Sequence, residues 1–215
     1  MCEKKSEPAS EENGQMEFSF YAMLDRMQYI NRWGLMRNNR TENIKEHSMD
    51  VALVSHALAT IRNCICLEGR QKVDPLYVMG LAIFHDASEI ITGDLPTPIK
   101  YRNPEITQAY KQVEGQATGT LLSLLPVSMR DEYRSLFCPD LSDPIKEEAY
   151  HLVKAADRIC AYIKCISEEN SGNREFSSAK QGILSSIEKI DNPEVVYFME
   201  HFIRAYGLTL DQISE

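Results

Sequence analysis

Ionisable side chains crowd a short stretch of the chain between an apolar run and two prolines. The stretch reads LAIFHDASEIITGDLPTP and contains His85, Asp86, Glu89 and Asp94. If it is helical, residues three and four apart share a face, so Glu89 projects together with both His85 and Asp86. An imidazole and a carboxylate that converge on one point can bind a metal, with Glu89 as a base beside them. A solvated helix end, whose histidine interacts with the terminal carbonyls, is the alternative.

Two residues that are distant in the sequence could complete such a ligand set. His47 follows a capping signal and would lie in the first turn of a helix, and Asp157 lies within the amphipathic run HLVKAADRICAYIKCI. A buried aspartate needs a partner or an ion, although a salt bridge from Asp157 to Lys154 or Arg158 would also satisfy it. Two imidazoles and two carboxylates together suit Mn, Co, Fe, Ni or Zn and leave positions open for water and substrate.

The elements that must position these residues are predicted to be helices. From Met16 onward the apolar residues recur with helical spacing, with neither an internal repeat nor a strand-like alternation, so the predicted fold is all-α. Asn43 with Glu46 resembles a capping box, and an aspartate or asparagine followed by proline marks three further helix starts. We predict about six or seven helices around one core. The predicted segments are approximately 18–30, 43–61, 74–93, 103–126, 143–170, 175–190 and 193–206.

Composition limits the classes of protein to which the chain can belong. Its 215 residues are 43% hydrophobic, which suits one compact domain, residues 16–215, after a flexible polar tail of residues 1–15. The net charge of −9 argues against a nucleic-acid polymer as a partner, because such binding needs a basic surface. No apolar run is long enough to cross a membrane, and six cysteines without zinc-ribbon spacing fit a reduced, cytoplasmic protein.

Three segments of the chain carry a resemblance to a known family. The order of His47, the His85-Asp86 pair and Asp157, all on predicted helices, resembles the HD-domain metal-dependent phosphohydrolases, which are helical proteins. The segments NRWGLMRNNRTENIKEHS, FHDASEIITGDLPTPIKY and VKAADRICAYIKC are together similar to the bacterial 5′-deoxynucleotidases of the YfbR type. The similarity runs from about Phe18 to the C-terminus and leaves the acidic tail outside it.

The resemblance implies a metal site and a hydrolytic reaction. His47, His85, Asp86 and Asp157 would bind a divalent cation such as Co, Mn or a similar transition metal. Glu89 would orient or deprotonate a water that attacks phosphorus, and the 5′ alkoxide of a deoxyribonucleoside would leave. The implied activity is hydrolysis of deoxyribonucleoside 5′-monophosphates to deoxyribonucleoside and phosphate.

Further residues would contact the substrate. Arg32, which with Glu89 and Asp86 forms the expected catalytic set, would orient the phosphate, and Trp33 would occupy the volume that a 2′-hydroxyl needs. Asp94 would accept a hydrogen bond from the 3′-hydroxyl. Each has a simpler explanation: surface charge for Arg32, core packing for Trp33 and a turn for Asp94. Asp86 is also expected to contact the substrate, and the remaining expected residues of the nucleoside pocket are Leu95, Pro96 and Thr97.

The sequence also leads us to expect a single metal ion and a homodimer, and it leaves two other functions open. Binuclear members of the superfamily carry extra histidines between the HD dipeptide and the last aspartate, where this chain has only His151, so one metal is expected. Similar proteins form homodimers, which we expect here as well. Two other functions stay open: another HD-type hydrolase, acting on phosphodiesters or nucleoside triphosphates, and a non-catalytic nucleotide-binding module.

Overall fold

The protein is all-α, as predicted. A computed structural model describes residues 17–100 and 102–214. Across these two ranges the only β-type pairing is an isolated antiparallel bridge between Asn31 and Asn43. The predicted flexible tail, residues 1–15, and the domain boundary at residue 16 lie outside the described residues. None of the described helices is both long enough and apolar enough to span a membrane.

Three long helices, Ile44–Cys64, Pro104–Ser123 and Pro144–Asn170, are joined by shorter ones. More helices form than the six or seven predicted, because several consist of a single turn. In chain order the α-helices are α1 Phe20–Asp25, α2 Ile44–Cys64, α3 Pro75–Phe84, α4 Glu89–Thr92, α5 Thr97–Lys100, α6 Pro104–Ser123, α7 Arg130–Phe137, α8 Pro144–Asn170, α9 Ser177–Ile187, α10 Pro193–His201 and α11 Leu210–Ile213. Turns of 3-10 helix cover Arg26–Tyr29, Val127–Met129, Arg174–Phe176 and Ile203–Gly207.

The helix starts confirm the capping signals of the sequence. Asn43 caps α2, and its Oδ1 accepts hydrogen bonds from the backbone N–H of Lys45 and of Glu46, both at 3.0 Å. Such a cap contributes about 1 kcal/mol, so it sets where the helix begins. The other three predicted caps accept equivalent bonds before the prolines of α3, α6 and α8; they are Asp74, Asn103 and Asp143.

The prediction of one helix from residue 74 to 93 was wrong. Helix α3 ends at Phe84, and the His85-Asp86 pair lies in a turn before α4. The imidazole Nδ1 of His85 donates to the carbonyl of Ala82 at 2.7 Å, which is the acceptor that a continuing helix would offer to Asp86. Backbone bonds with a spacing of three residues follow, such as Glu89 N–H to the Asp86 carbonyl at 2.9 Å.

Two apolar clusters hold the helices that position the site. The larger one joins α2, α3, α8 and α10 through fully buried residues such as Leu58, Val78 and Ile159. The smaller one surrounds Phe20 and includes Ala87, from the turn between α3 and α4. Helix α7, which we did not predict, closes this cluster with aromatic side chains. Because α2 and α8 pack side by side, the first turn of α2 lies near the middle of α8.

Candidate active site

The structure brings the four predicted metal ligands together. His47 comes from the first turn of α2, Asp157 from the middle of α8, and His85 and Asp86 from the turn after α3. The Nε2 atom of His47 lies 3.0 Å from Oδ1 of Asp157 and 3.7 Å from Oδ2 of Asp86. One potential ligand atom each of His47, His85 and Asp157 lies within 4.8 Å of the others. Their role as ligands stays a prediction, but their convergence is a feature of the fold. We call these four side chains the cluster.

His85 has a ring nitrogen suited to a cation. Its Nδ1 carries a proton, because the Ala82 carbonyl that it contacts can only accept a hydrogen bond. In the neutral ring, Nε2 then presents a lone pair, which is buried and lacks a hydrogen-bond partner among the described residues. It lies 3.0 Å from Oδ2 of Asp86. A lone pair against a carboxylate oxygen is repulsive, so a positive charge between them would be stabilising.

The two aspartates of the cluster are held in their ionised form. Burial alone would raise the pKa of Asp86, but positive charge beside it, on His85 when both ring nitrogens carry protons and on Arg32, holds that pKa well below its usual range. Burial would likewise raise the pKa of Asp157, and the hydrogen bond from His47 reverses the effect. Deprotonated carboxylates and imidazole nitrogens are the forms that bind a divalent metal. The residues present therefore fit a transition-metal ion.

Glu89, the predicted catalytic carboxylate, begins α4 and is buried. Its Oε2 atom has no hydrogen-bond partner within the described ranges. Burial, followed by the negative charges of Asp86 and Asp94, raises the pKa of Glu89 to about 9, against the opposing charges of Lys100 and Arg32. A bound cation would lower this pKa again, because its positive charge stabilises the carboxylate. Glu89 is thus an unpaired acid within the electrostatic field of the cluster.

Arg32 lies beside the cluster rather than at the surface. Its side chain is only 14% exposed, and its Nη2 atom lies 3.9 Å from Oδ1 of Asp157. The Nη1 atom donates to Nδ1 of His47 at 2.8 Å and to Oε1 of Glu42 at 3.2 Å. Arg37, by contrast, has a side chain that is 93% exposed and pairs with Glu175, as expected for a surface charge. Arg32 and Arg37 therefore differ in burial and in their partners, although both belong to this loop.

Trp33 has an unusual backbone conformation next to Arg32. Its φ is +60°, a left-handed value that a bulky side chain rarely adopts. The ring packs against Phe176 with 5.3 Å between centroids, and its Nε1–H donates to Oε2 of Glu42 at 2.8 Å. The carbonyl of Trp33 accepts a bond from Asn38 Nδ2 at 3.3 Å. Surrounding contacts hold this conformation, so it is defined by the fold.

The predicted nucleoside segment follows α4. Gly93 ends that helix with φ +72°, and Asp94, Leu95 and Pro96 are partly buried between it and α5. Burial raises the pKa of Asp94, and the charge of Arg32 opposes the rise. Asp94 therefore interacts electrostatically with the charged residues of the site. The role of this segment in binding a nucleoside stays a prediction. The side chain of Thr97 lies outside the described part of the chain.

Sequence reasoning missed Glu42, which contacts three of the predicted site residues. Its carboxylate bonds Arg32 and Trp33, and its Oε1 lies 3.4 Å from Nδ1 of His47. Burial would raise the pKa of Glu42, but His47 and Arg32 outweigh it and lower that pKa. Glu42 lies directly before the Asn43 cap and within the segment NRWGLMRNNRTENIKEHS that carries the family resemblance, but periodicity gives no signal in a loop and nothing in that segment set Glu42 apart.

A second missed glutamate ties this loop to α8. Glu168 is 1% exposed and accepts bonds from the backbone N–H of Asn39 at 2.8 Å and of Arg40 at 3.2 Å. Lys164 pairs with Glu168 at 2.5 Å and also bonds the carbonyl of Arg40. We call these contacts the loop clamp. Helix α8 therefore supplies both Asp157 and the anchor of the loop that carries Arg32 and Trp33.

Comparison with known proteins confirms the family resemblance along nearly the whole chain. The sequence profile of the family described as 5′-deoxynucleotidase YfbR-like matches residues 19–206. A 5′-deoxynucleotidase of Shewanella oneidensis is 46% identical over 195 residues, which cover 91% of this chain and 97% of that protein. The matched span includes every residue of the cluster.

Solved structures share the fold at lower identity. An HD-domain phosphohydrolase from Listeria innocua superposes with a TM-score of 0.72 and 21% identity, covering 87% of this chain and 88% of that one. A cyanophage S-2L HD phosphohydrolase, whose structure contains dA and one catalytic Zn²⁺, has a TM-score of 0.60 and 20% identity, with 88% and 99% coverage. At these identities the likeness concerns the helical arrangement.

Proposed function

The chain belongs to the YfbR-like 5′-deoxynucleotidase family, and we propose that it hydrolyses deoxyribonucleoside 5′-monophosphates to deoxyribonucleoside and phosphate. One observation carries the proposal within the molecule. Two histidines and two aspartates from three elements converge beside Arg32, while His85 Nε2 and Glu89 Oε2 are buried and have no hydrogen-bond partner in the part of the chain that the structure describes. Buried polar atoms are rarely left unpaired, so these two indicate a ligand.

We propose one divalent cation at this cluster, held by His47, His85, Asp86 and Asp157. The exposed position of His151 supports a single metal, since no further histidine of the described residues joins the group. Such an ion lowers the pKa of water and polarises a phosphoryl oxygen. The Zn²⁺ of the cyanophage protein supports a transition metal, and Mn, Co and Zn are the candidates.

The side chains around the cluster have separate roles in the proposed reaction. Glu89 takes a proton from the attacking water, whose oxygen bonds to phosphorus as the bond from phosphorus to O5′ breaks. Arg32 binds the phosphate oxygens with its planar guanidinium group and offsets their charge. The proton finally resides on the 5′-hydroxyl of the released nucleoside. Asp86 contributes to the reaction as a proposed metal ligand that lies next to the bound phosphate.

The sugar is selected by the residues on either side of the cluster. Trp33 occupies the volume next to C2′, so a ribose hydroxyl would collide with the indole. Asp94 accepts a hydrogen bond from the 3′-hydroxyl, and Leu95, Pro96 and Thr97 line the nucleoside. The partial burial of Asp94 and its electrostatic interaction with Arg32 support this placement.

Phosphate release from a panel of nucleotides tests the function. Protein stripped of metal with a chelator should be inactive, and Mn²⁺, Co²⁺ or Zn²⁺ should restore hydrolysis of deoxyribonucleoside monophosphates but not of the matching ribonucleotides. Nucleoside triphosphates and cyclic dinucleotides are the competing substrates in the same panel. Preference for either of those, or activity that survives metal removal, would reject the proposal. Equal rates on both sugars would reject the role of Trp33.

The predicted homodimer and cytoplasmic location stay predictions. Sedimentation of the purified protein across a range of concentrations tests the first. Fractionation of cells that express the tagged chain tests the second.

A further inference from the structure

We infer that Glu42 is a positioning residue that sets the phosphate-binding arginine, the sugar-contacting tryptophan and one metal-binding imidazole through a single carboxylate. The inference deepens the proposed function and rests on it for the roles of Arg32, Trp33 and His47. In this proposal Glu42 does not contact the substrate. Its effect is exerted through the three side chains that it holds.

The two oxygens of Glu42 divide the three contacts between them. Oε2 accepts a hydrogen bond from Trp33 Nε1–H at 2.8 Å. Oε1 accepts one from Arg32 Nη1 at 3.2 Å and lies 3.4 Å from Nδ1 of His47. Glu42 is 8% exposed, so water does not substitute for these contacts. An ionised carboxylate can accept from all three groups, whereas an amide would turn a donor toward one of them.

Trp33 depends on an outside restraint more than most residues. Its left-handed backbone, with φ +60°, is unfavourable for a bulky side chain and persists only when surrounding groups determine it. Glu42 holds the polar edge of the indole, and Phe176 packs against the ring. Loss of the carboxylate would remove the polar restraint and leave only the apolar one. The ring orientation next to the sugar would then be less well defined.

His47 needs Glu42 in the form that binds a metal. Its Nε2 faces Asp86 and Asp157, so binding through Nε2 requires the ring proton on Nδ1. That proton needs an acceptor, and Oε1 of Glu42 is an acceptor near Nδ1. In this structure Nδ1 instead accepts a hydrogen bond from Arg32 Nη1 at 2.8 Å. Arg32 carries only donors, so it must turn away from Nδ1 when the ring proton moves there, and Glu42 then supplies the acceptor. A carboxylate that accepts from a metal-binding histidine fixes its tautomer and raises its affinity.

The backbone near Glu42 is already fixed without its side chain. Arg32 N–H donates to the carbonyl of Glu42 at 2.9 Å, and Ile44 N–H donates to the carbonyl of Ile30 at 2.9 Å. The loop clamp anchors the segment in between. A change confined to the carboxylate should therefore leave the loop closed, which makes the side-chain effect separable from loss of folding.

The test compares wild type with Glu42→Gln and with Glu46→Gln as a matched control. Glu46 is exposed, lies four residues further on and faces Arg40, so its variant changes the net charge equally without touching the site. Trp33 is the only tryptophan of the chain, so intrinsic fluorescence reports on its ring alone. Calorimetric titration of metal-stripped protein with Mn²⁺ reports on His47. Circular dichroism confirms folding.

In Glu42→Gln we expect a changed tryptophan emission and a Mn²⁺ affinity lower by about 10- to 100-fold, with Glu46→Gln like wild type. With substrate, KM should rise more than kcat falls. Wild-type values of emission or of Mn²⁺ affinity in a folded Glu42→Gln protein would overturn the inference, because one carboxylate is argued to set both. If that variant does not fold, Glu42→Asp replaces it, since the shorter carboxylate cannot span the three contacts, and the same outcomes apply.

The binding and fluorescence measurements need no turnover. If wild type hydrolyses no deoxyribonucleotide, the proposed function fails, while these two readouts still decide whether Glu42 positions Trp33 and His47.

Discussion

One group of charged side chains lies at each end of helix α2, and the two groups differ in how fully their charges are paired. At its start, His47 joins the cluster with His85, where polar atoms of His85 and of the adjacent Glu89 lack hydrogen-bond partners among residues 17–100 and 102–214. In its last turn, Arg62 joins a group that we call the ion network. There Arg62 pairs with Glu148 at 2.5 Å and lies 3.7 Å from Glu194, and Arg70 pairs with Glu194 at 2.5 Å. Arg70 also lies 3.5 Å from Glu148.

The two groups differ in whether their charges are balanced by protein partners. The ion network contains two arginines and two glutamates, so its charges balance within the protein. The cluster brings carboxylates and imidazoles together, and among the described residues Nε2 of His85 and the nearby Oε2 of Glu89 have no hydrogen-bond partner. Burial of charge is costly unless it is paired, and the cluster accepts that cost without completing the pairing. A buried polar group that lacks partners is therefore a better indicator of a binding site than burial of charge alone.

The largest effect is expected from Asp157→Asn, which removes one of the cluster's anions but keeps its shape. Mn²⁺ affinity should fall by more than about 100-fold, since even the loss of an outer-shell partner costs 10- to 100-fold. Phosphate release should become undetectable, and the rise in Tm that saturating Mn²⁺ gives to wild type should disappear. Calorimetric titration and melting curves measure these changes. Wild-type affinity in this variant would remove Asp157 from the ligand set.

Glu89→Gln should lower the rate of hydrolysis without weakening metal binding at the cluster. The amide cannot take a proton from water, so kcat should fall by about 10²- to 10⁴-fold. Mn²⁺ affinity should stay close to that of wild type, because Glu89 is not one of the proposed ligands. Steady-state phosphate release and calorimetry provide the two measurements. An unchanged kcat would mean that the base lies elsewhere.

Glu194→Ala tests the ion network. It leaves Arg62 and Arg70 with a single remaining carboxylate, and breaking a buried pair costs about 3–5 kcal/mol. Chemical denaturation should show that loss in the free energy of unfolding. The turnover per folded molecule and the Mn²⁺ affinity should match wild type. A large fall in kcat with little change in stability would contradict the structural assignment.

The loop clamp should give a smaller, pH-dependent effect. Burial would raise the pKa of Glu168, but its bonds from Lys164 and the loop N–H groups lower it to about 2. A carboxyl group with a depressed folded-state pKa stabilises the fold above its unfolded pKa and loses that contribution as pH falls toward the folded value. Melting temperatures should therefore decline between about pH 4.5 and pH 2, more steeply for wild type than for Glu168→Gln. Parallel curves would mean that Glu168 contributes little.

Local features of the chain could be predicted because they depend on neighbouring residues. The caps at Asn43, Asp74 and Asp143 act on N–H groups two or three residues away, and the helices begin where these residues predict. The end of α3 could not be predicted in this way. It depends on the His85 ring bonding the Ala82 carbonyl, and apolar periodicity continues through the turn. A pattern of apolar residues does not record such a side-chain contact.

The sequence by itself determined the all-α fold class, the helix starts and the set of candidate metal ligands in their order along the chain. Only the tertiary structure decided that His47 and Asp157, which are 110 residues apart, lie within hydrogen-bond distance. It also decided that Glu42 faces three candidate site residues and that His85 Nε2 is buried against a carboxylate oxygen of Asp86. The physical reason is one of range. Capping and periodicity act over a few residues, whereas these contacts follow from the burial of apolar surface between α2, α3 and α8.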